Sequence, residues 1–432
     1  YFSIIQPLVA ALQPPHLKAI MSVEIVDSLY HHNYPGGVFF DRSNIYNDFC
    51  PVKGASASEK MYTEEELKKV VDSRLSDPDV RGSALLTRVL SCWPPKHQTY
   101  FYDVILHNYN DAFWDERSIM NRVKDIKIPM YLISEYYEFG RFTQGPFYVY
   151  NNCDQTVPKK VFAPEAHRDI GLPHRSLSEE YLRWYDYWLK GKDTGIMDEP
   201  DIKILVQGID RYRYENEWPI ARTEWTKFYL QKGGNLSTVL ETKDNVEPDT
   251  MSYVPPLDNP MEPQDMACLS YATEPLEKEI EVTGPITLYL NAAIDVDDAN
   301  FAAYLFDESP EGNMRLLTTG SLKASHRAIV TDKTTPYNVT HDHSKSVPVV
   351  PGEINEYAIE IMTTSMVFKK GHRIKLLVKN TNPSYYSSIL ITPNAREIEY
   401  HVEVGKERPS YLLLPVIPYS PEESWVDYKD QD

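Results

Sequence analysis

Two residues stand where an acid and a base could work together. Glu138, in the stretch ISEYYEFG, and His167, in KKVFAPEAH, each follow a short apolar run that is typical of a buried parallel strand. Because α/β enzymes bind ligands at the carboxyl ends of such strands, we expect both side chains at one edge of a sheet. There a carboxylate would orient the imidazole, which would take a proton from a nucleophile placed earlier in the chain. A capping acid and a satisfied loop histidine are the plainer interpretation of the same pair.

The chain around these residues is predicted to be an α/β sheet. In residues 1–40 a short helix, stopped by two prolines, leads into a buried strand at 17–22. Further strands are predicted at 126–134 and 159–167, with one helical segment between them. Strand, helix, strand and a long final helix describe the closing half of a parallel α/β sheet.

The long final helix is predicted in SLSEEYLRWYDYWLKGKDTG. Ser178 is the expected cap at its start, and Gly191 stands where a C-terminal glycine belongs. Leu182, Tyr185 and Leu189 share one face, so the pattern is that of an amphipathic helix.

Two further regions complete the predicted organisation. Residues 41–118 are polar and helical, with Thr63 as a helix cap, which indicates an inserted helical cap domain. Beyond a boundary near residue 200 the hydrophobic pattern changes to a period of two, in short strands divided by turn residues. Residues 201–432 are therefore predicted to form a jelly-roll β-sandwich, while residues 1–40 and 119–200 are two parts of the α/β domain.

Composition and missing motifs exclude several classes of function. The net charge is −19 and there is no basic stripe, so neither nucleic acid nor an anionic membrane is an expected partner. No apolar run approaches the length of a membrane span. Phosphate-binding glycine loops are absent and the four cysteines form no CxxC pair, so no cofactor is predicted.

The histidines give no metal prediction. His341 and His343 lie in a polar loop without a third ligand nearby, and His31 and His32 resemble a surface pair. The compartment stays open between cytoplasmic and secreted for a chain that we expect to be soluble.

Several stretches, in the right order, resemble the CocE/NonD serine hydrolases, a family related to cocaine esterase and Xaa-Pro dipeptidyl-peptidases. APEAHRD resembles the GPWSH motif that carries the family's catalytic histidine, and EYYE resembles GWYD, whose final acid completes the triad. DAFWDERS, the long helix and the strand patterns after residue 200 resemble further family segments, so the resemblance covers nearly the whole chain. It implies an α/β-hydrolase fold with a helical cap and a C-terminal jelly roll, with His167 as base and Glu138 as acid. Glu135 and, as the weaker candidate, Asp169 are its rivals.

The same resemblance places the nucleophile outside the printed sequence. The family's nucleophile elbow reads G-x-S-Y-x-G and is followed by a helix and a PPxLKAI strand, which this chain has as PPHLKAI. Tyr1 is then the residue after the nucleophilic serine, and its backbone N–H is expected to donate to the oxyanion. Ser3, followed by two isoleucines, lacks the small neighbours that a nucleophile elbow requires. An N-terminal segment or companion chain is thus expected to supply the serine and the earlier strands.

The substrate side departs from the family's motifs. Tyr136 and Glu165 replace tryptophans of the two motifs, and together with Tyr137 they are the predicted substrate-binding residues. The expected substrate is a small ester or amide, or a short peptide with a free amino end. A catalytically inactive relative, acting as a binding or structural protein, is the alternative. Homo-oligomers through the jelly roll are expected by analogy only.

Overall fold

The computed structural model describes residues 2–40, 56–81, 83–91, 99–134, 136, 143–164, 177–253, 268–380, 397–418 and 420–426. Within these ranges the chain forms two sheets and a group of helices. The α-helices are α1 Phe2–Ala11, α2 Leu29–Asn33, α3 Ser58–Met61, α4 Glu64–Ser76, α5 Pro78–Arg81, α6 Ala84–Ser91, α7 Thr99–Leu106, α8 Ala112–Asp115, α9 Gln144–Asn152 and α10 Ser178–Lys190. Short 3-10 turns are Pro35–Gly37, Val123–Asp125, Ala324–His326, Thr331–Lys333 and Glu422–Ser424.

In the described part of the chain the first sheet has six strands, in the order β1–β2–β3–β4–β5–β17. The first four strands are mutually parallel, whereas β5 and β17 are antiparallel to their neighbours. Their bounds are β1 Ile20–Val23, β2 Met130–Ile133, β3 Lys159–Ala163, β4 Ile202–Val206, β5 Arg211–Glu215 and β17 Trp425–Val426. The strands predicted at 17–22, 126–134 and 159–167 are confirmed within a few residues.

Helices cover both faces of this sheet, as expected for buried parallel strands. Ile20 and Leu132 point toward α1 and α9 and pack with Phe147. Ile133, on the opposite face, packs with Trp184 of α10. Because side chains alternate between the two faces along each strand, the sheet contributes to one hydrophobic layer on each face. All residues of β1, β2 and β3 are buried.

Strands β4 and β5 lie beyond the predicted boundary near residue 200 and yet belong to the first sheet. Ile202 of β4 lies opposite Val161 of β3, so the chain beyond residue 200 first extends the α/β sheet. Strand β5 then pairs with β4, and the β domain begins with β6 at Glu224. A short apolar strand has the same local pattern in either sheet, and long-range pairing decides which sheet it joins.

Helix α10 is present as predicted, but its buried face is different. Leu177 occupies the N-cap position without a side-chain cap, and Ser178 is already inside the helix. Gly191 ends the helix in the left-handed conformation, as predicted. Leu182 and Leu189 are mostly exposed, and the fully buried residue is Trp184. The large aromatic side chain, and not the leucine stripe, sets the face that packs on the sheet.

The helices α3 to α8 form a group with its own hydrophobic core around Phe101, Tyr102 and Trp114. Thr63 caps α4 as predicted: its hydroxyl accepts from the backbone N–H of Glu66, whose carboxylate reaches back to Thr63. No helix in the described part of the chain is both long and apolar enough to cross a membrane.

Among the residues that the structure describes, the β domain has eleven strands, with an extra pairing of β13 to β10 that closes most of the sheet on itself. Its hydrophobic core includes Ile286, Leu290 and Phe301. The strands are β6 Glu224–Gln231, β7 Asn235–Ser237, β8 Asp249–Tyr253, β9 Leu269–Ala272, β10 Ile280–Ile294, β11 Asn300–Glu308, β12 Met314–Lys323, β13 Asn355–Phe368, β14 Arg373–Lys379, β15 Ile398–Val402 and β16 Tyr411–Ile417.

Two close contacts fix the β domain against the rest of the chain. Gly36, with a φ of 60°, lies so close to β12 that a Cβ there would be 1.8 Å from the carbonyl oxygen of Ser321. Arg213 of β5 is fully buried and donates from Nη1 to Glu281 of β10 over 2.7 Å. Segments far apart in the sequence thus come into contact at a glycine that leaves no room for a side chain and at a buried, paired charge.

Candidate active site

Three chain segments converge at the carboxyl edge of the first sheet. In the parallel register Val23 of β1 lies opposite Ile133 of β2, and Ile133 lies opposite Phe162 of β3. Helix α1 starts beside the end of β1, to which Ser3 is hydrogen-bonded. The chain therefore leaves the end of β2, leaves the end of β3 and enters α1 at one edge, where α/β proteins place their ligands.

Most of the predicted site residues lie outside the described residues. These are the base, the three candidate acids, the oxyanion donor and two predicted substrate contacts: His167, Glu138, Glu135, Asp169, Tyr1, Tyr137 and Glu165. What the structure describes is the framework on either side of them. Strand β2 and Ser134 precede Glu135 and Glu138, strand β3 and Pro164 precede the histidine, and α1 follows Tyr1.

Tyr136 is the one predicted substrate contact that the structure describes. Its side chain is 8% exposed and packs in the core of the first sheet. Burial raises the pKa of its hydroxyl above the usual range, so the group is a neutral phenol. Tyr136 is thus a buried core residue of the first sheet.

Ser3 is placed as a structural hydroxyl. Its Oγ donates to the backbone carbonyl of Glu24 over 3.0 Å, and its own carbonyl accepts from Ser22 Oγ over 2.8 Å. A hydroxyl whose proton is held by a backbone carbonyl, without a histidine beside it among the described residues, is not an activated nucleophile.

A cavity of about 210 Å³ lies between the first sheet's helices and the β domain. Asp27 and His31, from the segment after β1, line one side together with Gln144 at the start of α9. Glu360 of β13 and His341 line the β-domain side. The sequence gives no local signal for this cavity, because its walls come from segments far apart in the chain.

Among the ionisable groups of this cavity, Asp27 and His31 form an ion pair, whereas Glu360 is hydrogen-bonded to the neutral side chain of Gln144. Asp27 Oδ2 lies 3.2 Å from His31 Nδ1, and although burial opposes the charge on each group, the pair lowers the pKa of Asp27 and raises the pKa of His31. Glu360 Oε1 accepts from Gln144 Nε2 over 2.9 Å. Burial raises the pKa of Glu360 to about 7, with Asp27 adding to the rise and His31 opposing it. Glu360 is therefore substantially protonated at neutral pH.

The histidine loop next to the cavity is more buried than its polar sequence predicts. His343 Nδ1 and His326 Nδ1 are 3.1 Å apart, and both side chains are buried. Burial lowers the pKa of His326 to about 3 and the pKa of His343 well below its ordinary value, so both rings are neutral. His31, expected as part of a surface pair, stands 5.9 Å from the His343 ring. Chain segments of the β domain and the α/β sheet enclose rings that look solvent-exposed in the sequence.

No group of three or more His, Cys, Asp or Glu side chains in the described ranges is arranged to hold a metal ion. The hydrogen bond between the two Nδ1 atoms shows that each of these ring nitrogens has a partner already. The ring cluster is thus explained by packing and hydrogen bonding among neutral imidazoles.

The fold and its carboxyl edge define an α/β-hydrolase domain followed by a β domain. Residues 1–169 match the family model for X-Pro dipeptidyl-peptidases of the S15 family, and residues 194–413 match the model of the X-Pro dipeptidyl-peptidase C-terminal non-catalytic domain. The chain belongs to the CocE/NonD family of hydrolases, whose members include esterases and dipeptidyl-peptidases.

Individual relatives support this assignment over most of the chain. Cocaine esterase from Rhodococcus sp. (strain MB1 Bresler) is 27% identical over 365 residues, which cover 73% of this chain and 61% of that protein. A CocE/NonD family hydrolase from Staphylococcus aureus has the same fold, with a TM-score of 0.73 and 18% identity over 96% of this chain and 70% of the other. An aminopeptidase from a Thaumarchaeota archaeon also has this fold, with a TM-score of 0.70 and 16% sequence identity. The match covers 95% of this chain and 74% of the aminopeptidase chain. The chain thus spans less than two thirds of the length of cocaine esterase.

Proposed function

We propose that the protein is a serine hydrolase that transfers the acyl group of an ester or amide to water. The observation that carries this proposal is the convergence of the ends of β2 and β3 with the start of α1 at one sheet edge. The segments that follow these strands contain Glu138 and His167, and Tyr1 precedes the helix. An acid, a base and a backbone donor would meet there in the arrangement that acyl transfer requires.

The chemistry follows the Ser-His-acid scheme, with the serine immediately before Tyr1 in the full-length protein. His167 takes the proton of the serine hydroxyl as the oxygen attacks the carbonyl carbon, and Glu138 stabilises the imidazolium. The N–H of Tyr1 donates to the oxyanion. The imidazolium then protonates the leaving alcohol or amine as its bond to carbon breaks, and water repeats the sequence to release the acid.

The substrate side is proposed from the loops that follow β2 and β3. Tyr137 and Glu165 would face the acyl or amino part of a small ester, amide or short peptide, with Tyr136 supporting them from its buried position. The helices of residues 41–118 would act as the cap, and the C-terminal β domain would be a jelly roll. Esterases and an aminopeptidase among the relatives are consistent with either bond type.

The test is active-site labelling of the full-length protein, including its residues before Tyr1. A fluorophosphonate probe should label the wild type, and His167→Ala should lower the labelling rate and ester turnover by several orders of magnitude. His16→Ala, an exposed histidine, is the matched control and should keep wild-type rates. Glu138→Gln and Glu135→Gln separate these two candidate acids, because only the true partner of His167 should lower turnover strongly.

The alternative, a catalytically inactive relative, gives the opposite result in the same experiment. A folded full-length wild type that takes no label and hydrolyses neither p-nitrophenyl esters nor aminoacyl amides would contradict the hydrolase proposal. The residue before Tyr1 gives a second readout, since any residue other than serine there also favours the inactive relative.

A further inference from the structure

Two serines tie the first turn of α1 to the end of β1. Ser22 Oγ donates to the carbonyl oxygen of Ser3 over 2.8 Å, and Ser3 Oγ donates to the carbonyl oxygen of Glu24 over 3.0 Å. The two bonds run in opposite directions between the same two segments. The start of the helix is therefore held against the strand end by a closed pair of hydrogen bonds.

The first of these bonds replaces one that the helix cannot make. In an α-helix the carbonyl of Ser3 would accept from the N–H of residue 7, but residue 7 is Pro7, which has no N–H. The hydroxyl of Ser22, which is completely buried, supplies the missing donor. The buried Ser22 hydroxyl and the backbone carbonyl of Ser3 thus satisfy each other.

The second bond depends on an unusual backbone conformation. Glu24 has a φ of 59°, in the left-handed region that non-glycine residues seldom adopt. Its N–H still continues the strand ladder to the carbonyl of Ile133 over 2.9 Å. Its carbonyl meets Ser3 Oγ instead of continuing the strand. Strained backbone of this kind is concentrated at functional sites, where the surrounding structure enforces it.

We propose that Ser3 and Ser22 are positioning residues that fix the start of α1 and, through it, the backbone N–H of Tyr1 that donates to the oxyanion. This inference rests on the proposed function. An oxyanion donor acts only when it points at the place where charge develops. A small displacement of α1 would therefore reduce the stabilisation of the transition state more than the affinity for the substrate.

The expected signature is a loss in kcat at nearly constant KM. For Ser3→Ala and for Ser22→Ala we expect kcat to fall about tenfold and KM to change by about twofold or less, as for an oxyanion donor that is displaced but not removed. The affinity for a boronic acid that mimics the tetrahedral intermediate should fall by the same factor as kcat/KM. Ser3→Thr, which keeps the hydroxyl at a partly exposed position, should restore most of the activity.

The measurement uses the full-length protein with a p-nitrophenyl ester, and kcat is referred to active sites titrated with a fluorophosphonate. Titration removes the effect of misfolded material, so a purely structural role would lower the titrated fraction or the Tm and leave kcat per site unchanged. Ser91→Ala is the matched control, since Ser91 Oγ also donates to a backbone carbonyl, that of Thr87, in a distant helix. If the buried Ser22→Ala variant fails to fold, Ser3→Ala decides.

The outcomes separate this inference from the function on which it rests. An active wild type whose Ser3→Ala variant keeps kcat per titrated site and boronic acid affinity within about twofold overturns the positioning role alone. A wild type that neither labels nor turns over overturns the proposed function and the positioning role together.

Discussion

Gln144 Nε2 donates a hydrogen bond of 2.9 Å to Glu360 Oε1, and this bond joins the helix after β2 to strand β13 of the β domain. Both residues line the cavity, and Asp27 and His31 line it beside Gln144. The contact between the two domains therefore includes a carboxyl group that titrates near neutral pH.

The Glu360 contact makes the stability of the protein fall as pH rises from about 4.5 to about 7. Burial raises the pKa of Glu360 to about 7 from an ordinary 4.5, so between these values the native protein holds a proton that the unfolded chain releases. The free energy of unfolding should therefore fall as pH rises through this window, and Glu360→Gln should be more stable than the wild type at pH 8 by about 2 kcal/mol. Glu356→Gln, an exposed acid on the same strand, is the control. Denaturant unfolding at pH 5 and pH 8 measures both, and equal pH dependence of the wild type and Glu360→Gln would contradict the assignment.

The buried histidines produce the opposite dependence in acid. Because burial lowers the pKa of His326 to about 3, the unfolded chain binds a proton below about pH 6.5 that the native protein does not. Stability should therefore fall as pH is lowered, by about 2 kcal/mol between pH 7 and pH 5 for this one ring. His326→Gln should remove this contribution to the loss of stability in acid. His16→Gln, at an exposed histidine, should leave the loss unchanged. Acid unfolding curves with identical slopes for wild type and His326→Gln would show that the ring is not held neutral.

Gly36 should be intolerant of any side chain. A Cβ at this position would be 1.8 Å from the carbonyl oxygen of Ser321, whereas Gly191 has nearly the same φ, 66°, and open space around it. Gly191→Ala should therefore cost about 1 kcal/mol from backbone strain alone. Gly36→Ala should cost about 3 kcal/mol because β12 must move as well. Thermal unfolding of the two variants checks this, and equal losses would mean that Gly36 does not touch β12.

Arg213 should be the most sensitive charge between the first sheet and the β domain. Its Nε donates to Glu215 and its Nη1 to Glu281, each over 2.7 Å, and the side chain is fully buried. Arg213→Met leaves the Glu281 carboxylate without its cation, whereas Glu215 keeps its pair with Arg222. We expect a loss of about 3–5 kcal/mol. Arg211→Met, on the same strand but exposed, should lose about 1 kcal/mol or less. A loss below about 1 kcal/mol for Arg213→Met would contradict the importance of the pair.

Local patterns sufficed for the elements that frame the site. The apolar runs before Glu138 and His167 are strands β2 and β3, and Thr63 and Gly191 begin and end helices as their residue types predict. Buried parallel strands and helix ends are specified by a few neighbouring residues, so each can be predicted from its own short stretch of sequence.

Features that depend on distant segments were not predictable in the same way. Strand β4 was predicted among the strands of the β domain, but it joins the first sheet, because its sheet is chosen by pairing with β3. The cavity around Glu360 and the neutral ring of His343 depend on burial by segments far away in the sequence. The same limit applies to Ser22, whose role as a donor to α1 follows from a proline that lies fifteen positions earlier in the chain.

The most direct test of the central claim is the site of fluorophosphonate attachment in the full-length protein, read by peptide mass spectrometry. The proposed mechanism predicts one labelled residue, the serine immediately before Tyr1, and loss of that label in His167→Ala. A label on any other residue, or no label on a folded wild type, would contradict it.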